Sequence, residues 1–254
     1  MEFSSLPPSP SPLTPPLDAG PPGQQRLIAV AEMFICSSLP TQILLQTVMV
    51  QAGWNPLTAT GAFSLPFIVT MSMADTVLLI VLMVLLTRAH GESVSGLWLG
   101  RRPVVREVLL GLAAVPVVFV LVVVLLNALR LAAPWLHNVP TNPLEDLARG
   151  GPLNAVAFGV VAIFAGGVRE ELQRAFLLRR FEKHLGGATA GVVVLSLLFG
   201  LGHLLQGWDA AITTGALGAF WAVMYLRRRS SVAPLVSHAG FNSLEVFRVA
   251  MGGG

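Results

Sequence analysis

Residues 107–131 read EVLLGLAAVPVVFVLVVVLLNALRL, and no charged side chain lies between Glu107 and Arg130. A helix that crosses the hydrocarbon core of a bilayer needs about 20 predominantly apolar residues. This stretch meets that requirement and therefore predicts a transmembrane helix. In the whole chain only 11% of residues are charged and 54% are hydrophobic, whereas soluble domains carry about 25% charged residues. We therefore expect an integral membrane protein without a large soluble domain.

Six further apolar stretches flank this one, and glycine and proline residues typical of turns separate them. The predicted spans cover residues 27–51, 62–87, 107–131, 153–173, 190–206, 210–227 and 232–250. The predicted fold class is all-α, a polytopic membrane helix bundle of about seven transmembrane helices. Residues 1–25 are rich in proline and serine, which is typical of a disordered tail, and residues 26–254 are expected to form the bundle.

The basic residues are distributed unequally between the two sides of this seven-span arrangement. All but three of the 16 Lys and Arg residues fall on the side of the N-terminus, and the exceptions are Arg130, Arg149 and Arg248. Cytoplasmic loops carry an excess of Lys and Arg. This pattern predicts a cytosolic N-terminus, and we expect the inner membrane of a bacterium. It also argues against nucleic-acid binding despite a pI near 10.0, because the arginines alternate with apolar spans.

Ionisable side chains lie within several spans, where a charge costs about 2.5–3.5 kcal/mol on insertion scales and is by default functional. The fourth span carries the adjacent Glu170 and Glu171, the fifth carries His203, and the seventh carries His238 and Asn242. Residues four apart on a helix share a face, so His238 and Asn242 are expected to point into the same space.

The spacing also predicts a common depth for these residues. Gly186 and Gly187 indicate the turn between spans four and five, with Glu170 16 residues before it and His203 16 residues after it. In two antiparallel helices these two side chains come level. His238 follows a cluster of three arginines by nine residues, which is about 14 Å along a helix. The three residues are therefore expected to converge near the cytosolic face.

Each residue alone also has a purely structural explanation. Glu170 could pair with Arg174 at i,i+4, His203 could bond a backbone carbonyl, and His238 with Asn242 could bridge neighbouring helices. A convergence of all three at one depth favours a functional site instead.

Three further intramembrane acids, Glu32, Asp75 and Glu245, are left outside the predicted catalytic set. A link to Arg248 three residues further on explains Glu245 equally well.

Paired glutamates on one helix, a Phe-x-x-x-His on the next and a later His-x-x-x-Asn resemble the CAAX protease and bacteriocin-processing (CPBP) family of intramembrane proteases. The matching elements are Glu170-Glu171, Phe199 to His203, and His238 to Asn242. The resemblance covers roughly residues 150–245. The family places an Arg five residues after the first Glu, whereas Arg174 follows Glu170 by four.

This departure leaves open which glutamate is catalytic. We favour Glu170, because its separation from the turn equals that of His203.

The resemblance implies hydrolysis of a peptide bond near the cytosolic membrane face, as in a CAAX prenyl protease. The chemistry of the residues agrees with this: a glutamate can activate water, His203 can position that water or bind a metal, and His238 with Asn242 can bind the oxyanion. Arg174 and Phe199 would support this group. The expected partners are membrane lipid and a membrane-associated or lipidated protein substrate.

A metal is a further alternative. Glu170, His203 and His238 would suit a three-ligand zinc site with an open position, and the sequence leaves metal dependence undecided.

Two non-proteolytic functions also fit such a chain. One is a non-catalytic membrane scaffold or bacteriocin-immunity protein of the same fold. The other is a small proton-coupled transporter that uses Glu and His as a relay. The sequence shows no inverted repeat and no paired broken helices, which argues against the transporter.

Overall fold

The computed structural model describes residues 17 and 20–252, and its regular secondary structure in this range is helical. The helices are α1 (Pro22–Ile35), α2 (Leu39–Gln51), α3 (Leu65–Ala89), α4 (Val94–Trp98), α5 (Val104–Ala132), α6 (Glu145–Arg149), α7 (Pro152–Val161), α8 (Glu170–His184), α9 (Gly187–Leu201), α10 (Trp208–Arg228) and α11 (Val232–Ala250). A π-helical segment, Ala162–Arg169, joins α7 to α8. Most of the predicted tail of residues 1–25 lies outside the described residues, and its last four residues, from Pro22, already belong to α1.

Four described helices are long and apolar enough to cross a bilayer: Leu65–Ala89, Val104–Ala132, Trp208–Arg228, and Pro152–His184, which comprises α7, the π segment and α8. The pair α1 and α2 makes a fifth if it is one span bent by 40°. The predicted count of seven is therefore not confirmed. The apolar α9 has only 15 residues, and polar side chains lower the mean hydropathy of α11.

The first predicted span, 27–51, is broken rather than continuous. Ser38 adopts a left-handed backbone conformation with φ of 71°, which ends α1 and redirects the chain. Pro40 follows within the first turn of α2, where its missing N–H costs no hydrogen bond. The fifth predicted span, 190–206, also ends early, because α9 stops at Leu201 and a 3-10 turn, Leu204–Gln206, follows.

The long helices expose large apolar side chains around most of their circumference. In α5, at least 60% of the surface of each of Val105, Leu109 and Val120 is exposed. Only 22% of the most apolar stretch of this helix is buried inside the protein. A soluble monomer rarely exposes such a continuous apolar surface. These helices identify the chain as an integral membrane protein whose outer surface faces lipid.

Ion pairs at the two ends of the bundle fix the direction of the helices. At one end Arg228, in the last turn of α10, binds Glu107 in the first turn of α5 at 2.5 Å. At the other end Arg130, in the last turn of α5, binds Asp209 in the first turn of α10 at 2.9 Å. Helices α5 and α10 are therefore antiparallel.

The end that contains Arg228 carries a second charged cluster around Glu92, in the loop between α3 and α4. Lys183 and Arg180 of α8 pair with this carboxylate, and so does Arg179. Burial by itself raises the pKa of Glu92, but the hydrogen bond from Lys183 and the arginine charges hold it below its usual value of 4.5. The cluster ties α8 to the end of α3.

Candidate active site

The centre of the site is a buried group of three side chains from α8 and α11. Nδ1 of His238 donates to Oε1 of Glu171 at 2.8 Å, and the guanidinium of Arg174 donates to the same oxygen. All three side chains are at most 6% exposed. A carboxylate this deep in a protein is stable as an anion only when it is paired and hydrogen-bonded, and Arg174 with His238 supplies both partners.

Helix α10 holds His238 from its other side. The indole of Trp221 stacks on the imidazole with ring centroids 3.8 Å apart and an interplanar angle of 16°. Nε1 of Trp221 donates to Oγ of Ser237 at 3.2 Å, which fixes the indole against α11. Stacking on Trp221 therefore fixes the plane of the His238 ring, and the hydrogen bond to Glu171 fixes its orientation within that plane.

Glu170 lies beside this group in a more open position. Its side chain is 17% exposed, its Oε1 lies 3.3 Å from Nη2 of Arg169, and its Oε2 lies 3.9 Å from Nε2 of His238. These contacts are longer than those of Glu171. The two adjacent carboxylates thus differ in environment: one is closed off by partners, and the other borders accessible space.

His203 reaches the site through the ring of Phe199. It lies in the turn after α9, where its Nδ1 donates to the carbonyl of Phe199 at 2.8 Å. This bond places the proton on Nδ1 in the neutral ring and leaves Nε2 as an acceptor. The Phe199 ring contacts His203 edge-on at 4.8 Å and His238 at 6.0 Å, and Arg174 lies over it at 4.7 Å. Phe199 therefore separates the two histidines.

The π segment packs closely against α11, so that Asn242 of α11 contacts the backbone of this segment. Nδ2 of Asn242 donates to the carbonyl of Ala162, the first π-helical residue, at 3.1 Å. A side chain at Gly166 would meet this nitrogen at 2.6 Å, and one at Gly167 would meet Ala239 at 2.6 Å. Glycine is required at both positions because the π segment and α11 approach each other too closely for a side chain. π-Helical turns are rare and frequent at functional sites, and this one directly precedes Glu170.

The zinc alternative does not fit this arrangement. Among the described residues no three His, Cys, Asp or Glu side chains are grouped so that they could hold a metal ion. Of the three predicted ligands, Glu170 and His238 approach to 3.9 Å, while His203 packs against the ring of Phe199, which lies between it and His238. We derive no step that involves a metal.

One sequence-based pairing is wrong. The structural alternative paired Glu170 with Arg174 at i,i+4, whereas Arg174 binds Glu171 at i,i+3. Glu170 contacts its other neighbour, Arg169. The predicted pair of Glu245 with Arg248 is present at 3.0 Å.

Sequence reasoning missed two residues around Glu170 and one around His238. These residues are Arg169 and Asp75 beside Glu170, and Trp221 beside His238. Asp75 is 1% exposed and pairs with Arg169 at 3.3 Å. An acid in the middle of an apolar span was the available signal, but its partner lies 94 positions away.

The comparisons with known proteins support the family suggested by the motifs. Residues 152–244 match the family model described as type II CAAX prenyl endopeptidase Rce1-like. Comparison of the chain with curated proteins and with solved structures finds no significant match. The matched region begins at α7 and ends in α11, so it contains the two glutamates, both histidines and Asn242. Residues 152–244 are therefore similar to the CAAX protease and bacteriocin-processing family, in agreement with the motifs.

Proposed function

We propose that this protein is an intramembrane endopeptidase that hydrolyses a peptide bond near the cytosolic membrane face, in the manner of a CAAX prenyl endopeptidase. The observation that carries the proposal is the pair of carboxylates at the start of α8. Glu171 is bound to His238 and Arg174, while Glu170 borders accessible space 3.9 Å from Nε2 of His238. The carboxylate of Glu171 is therefore bound by structural partners, whereas that of Glu170 can react with water or substrate.

Glu170 is the proposed general base. It takes a proton from a water molecule, and the resulting hydroxide attacks the carbonyl carbon of the scissile bond. The C–N bond then breaks, and the proton held by Glu170 passes to the leaving amine. His203 supports this step because its Nε2 is free to accept a hydrogen bond from the attacking water. Glu171 acts as a positioning residue that fixes the orientation of His238.

The oxyanion formed in this step requires hydrogen-bond donors. Nε2 of His238 faces away from Glu171 and can donate when it carries a proton, and Asn242 lies one turn further along the same helix. Preorganised donors of this kind lower the barrier most when their surroundings keep them fixed. Stacking on Trp221 and the bond to Ala162 supply that fixation here.

The proposed substrate is a membrane-associated or lipidated protein, since a site among lipid-facing helices is reached most directly from the bilayer. The matched family model is described as a type II CAAX prenyl endopeptidase, which supports this choice of substrate. The proposed orientation has the N-terminus in the cytosol, and the excess of arginines at the end of the bundle that contains Arg228 supports it.

A cleavage assay tests the proposal. The purified protein in proteoliposomes is incubated with a farnesylated peptide ending in a CAAX sequence, and the products are identified by mass spectrometry. In parallel, a Glu170→Gln variant is used to capture bound polypeptides from membranes. We expect the wild type to release the last three residues of the peptide, and Glu170→Gln to bind the peptide but cut it about 10²–10⁴-fold more slowly. Cleavage of neither the peptide nor any captured polypeptide by the wild type would favour a non-catalytic scaffold instead.

A further inference from the structure

Arg169 is the last residue of the π segment, and its side chain contacts four groups on three different parts of the chain. Nε donates to the carbonyl of Ala165 at 3.3 Å, and Nη1 donates to Oδ2 of Asp75 at 3.3 Å and to Oγ of Ser38. Nη2 donates to Oε1 of Glu170 at 3.3 Å. A guanidinium presents five donors in one plane, so these contacts fix the direction from which Arg169 meets Glu170.

Asp75 of α3 is itself held rigidly. Its Oδ1 accepts from Oγ1 of Thr41 at 2.5 Å, and its Oδ2 accepts from Nε2 of Gln42 at 3.4 Å. Ser38, Thr41 and Gln42 all lie at or just after the break between α1 and α2. None of these residues belongs to the region matched by the family model, 152–244. The N-terminal helices thus reach the candidate site through Arg169.

The charges explain why both carboxylates are needed around this arginine. Arg169 is 8% exposed, and a buried cation is costly unless it is paired. Asp75 balances its charge and holds one edge of the guanidinium, which leaves Nη2 directed at Glu170. Without Arg169, Glu170 would be free to close the 3.9 Å gap to Nε2 of His238. That contact would occupy both the base and the oxyanion donor.

We propose that Arg169, fixed by Asp75, is a positioning residue that keeps Glu170 directed at the substrate and apart from His238. The inference rests on the proposed role of Glu170 as the base. It assigns a function to α2, to the break before it and to α3, which supply Thr41, Ser38 and Asp75 to hold the arginine. It also predicts that a lysine at position 169 replaces the charge but not the planar set of contacts.

The test is a double-mutant cycle with turnover of the farnesylated CAAX peptide as the readout. Arg169→Gln is expected to lower kcat about 10- to 100-fold with KM little changed, because a misplaced base costs rate more than binding. Arg169→Lys is expected to recover part of this loss. In a Glu170→Gln background, Arg169→Gln is expected to lower kcat no further, since the arginine acts through the glutamate.

A matched control removes a different interhelical arginine. Arg228→Gln breaks the pair with Glu107 at the end of the bundle, and we expect lower thermal stability with unchanged turnover per folded molecule. If Arg169→Gln fails to fold, Asp75→Asn takes its place and is expected to lower kcat in the same way. The same cycle read by thermal unfolding tests the coupling of Arg169 to Glu170 without any substrate.

Two outcomes overturn the inference: a normal kcat for Arg169→Gln, or a kcat loss that adds in full to that of Glu170→Gln. These outcomes are distinct from a failure of the proposed function. Full activity of Glu170→Gln would remove the base itself, whereas an inactive Glu170→Gln beside a normal Arg169→Gln leaves the base in place and removes only the positioning role.

Discussion

Replacing each glutamate of the pair by glutamine separates the two roles assigned to them. Glu171→Gln removes a charge that Arg174 and His238 surround, and Arg174 is 6% exposed. Removing one partner of a buried ion pair costs about 3–5 kcal/mol, because the other charge is left uncompensated. We therefore expect Glu171→Gln to destabilise the protein by that amount. Turnover falls as well, since His238 loses the carboxylate that orients it.

Glu170→Gln should behave in the opposite way. Its contacts to Arg169 and His238 are 3.3 and 3.9 Å long, and Arg169 keeps Asp75 as a partner when the charge of Glu170 is lost. A weak, partly exposed pair of this kind contributes about 0–1 kcal/mol. The lost base, by contrast, lowers turnover about 10²–10⁴-fold. We expect nearly normal stability and very low turnover.

Both variants can be measured on the same preparation. Thermal unfolding in detergent gives the change in stability, and cleavage of the farnesylated peptide gives turnover per folded molecule. An unfolding midpoint of Glu171→Gln equal to that of the wild type would contradict the buried ion pair. Nearly normal turnover of Glu170→Gln beside a stable but inactive Glu171→Gln would show that the assigned roles are reversed.

Three further predictions concern the rest of the site and its support. Asn242→Ala is expected to lower turnover about 10²–10³-fold and stability by only about 1 kcal/mol, the value of its bond to Ala162; kinetics and thermal unfolding check this, and early melting with full specific activity would contradict it. Chelation is expected to leave turnover unchanged, whereas loss of activity that added zinc restores would revive the metal alternative. Glu92→Gln tests the pH dependence of stability. The pKa of Glu92 is lowered in the folded protein, so its ion pairs stabilise the fold above pH 4.5. This stabilisation is lost as the pH falls below that value and the carboxylate is protonated. The variant should therefore be less stable near neutrality and lose less stability on acidification, and parallel pH–stability curves for the two proteins would refute this role.

The sequence predicts the long apolar helices well because their signal is local. The predicted span 107–131 lies within α5, Val104–Ala132, and span 210–227 lies within α10, Trp208–Arg228. The break at Ser38 was missed, since a left-handed residue between two apolar stretches leaves hydropathy unchanged. The early end of α9 at Leu201 is not predicted either, because apolar residues continue to Leu205.

The residues of the candidate site stay a prediction, and the structure changes one of the pairings expected among them. Helical spacing predicts that His238 and Asn242 share a face, and in the structure His238 contacts Glu171 and Trp221 while Asn242 donates to the carbonyl of Ala162. Spacing could not decide between Glu170 and Glu171 as the partner of Arg174, because i,i+3 and i,i+4 neighbours are both within reach. The π segment before Glu170 also changes the angle between successive residues around the helix axis. A projection of span four as a regular α-helix therefore gives the wrong directions for Glu170 and Glu171 relative to the residues before the segment.

The contribution of Asp75 could not be predicted, because it depends on how distant helices pack. Asp75 and Arg169 belong to α3 and to the π segment, and no local pattern links them. A carboxylate inside an apolar span is energetically costly. The sequence therefore predicts that Asp75 has a partner, but it does not identify that partner as Arg169.

The most direct test of the proposed hydrolysis follows the fate of water oxygen. Wild-type protein in proteoliposomes is incubated with the farnesylated CAAX peptide in water enriched in heavy oxygen, and mass spectrometry reads the new carboxylate. We expect one heavy oxygen in the carboxylate that ends the farnesylated product, with release of the last three residues, and about 10²–10⁴-fold slower formation of this product by Glu170→Gln. An intact peptide after incubation with the wild type, or equal incorporation by Glu170→Gln, would contradict this expectation.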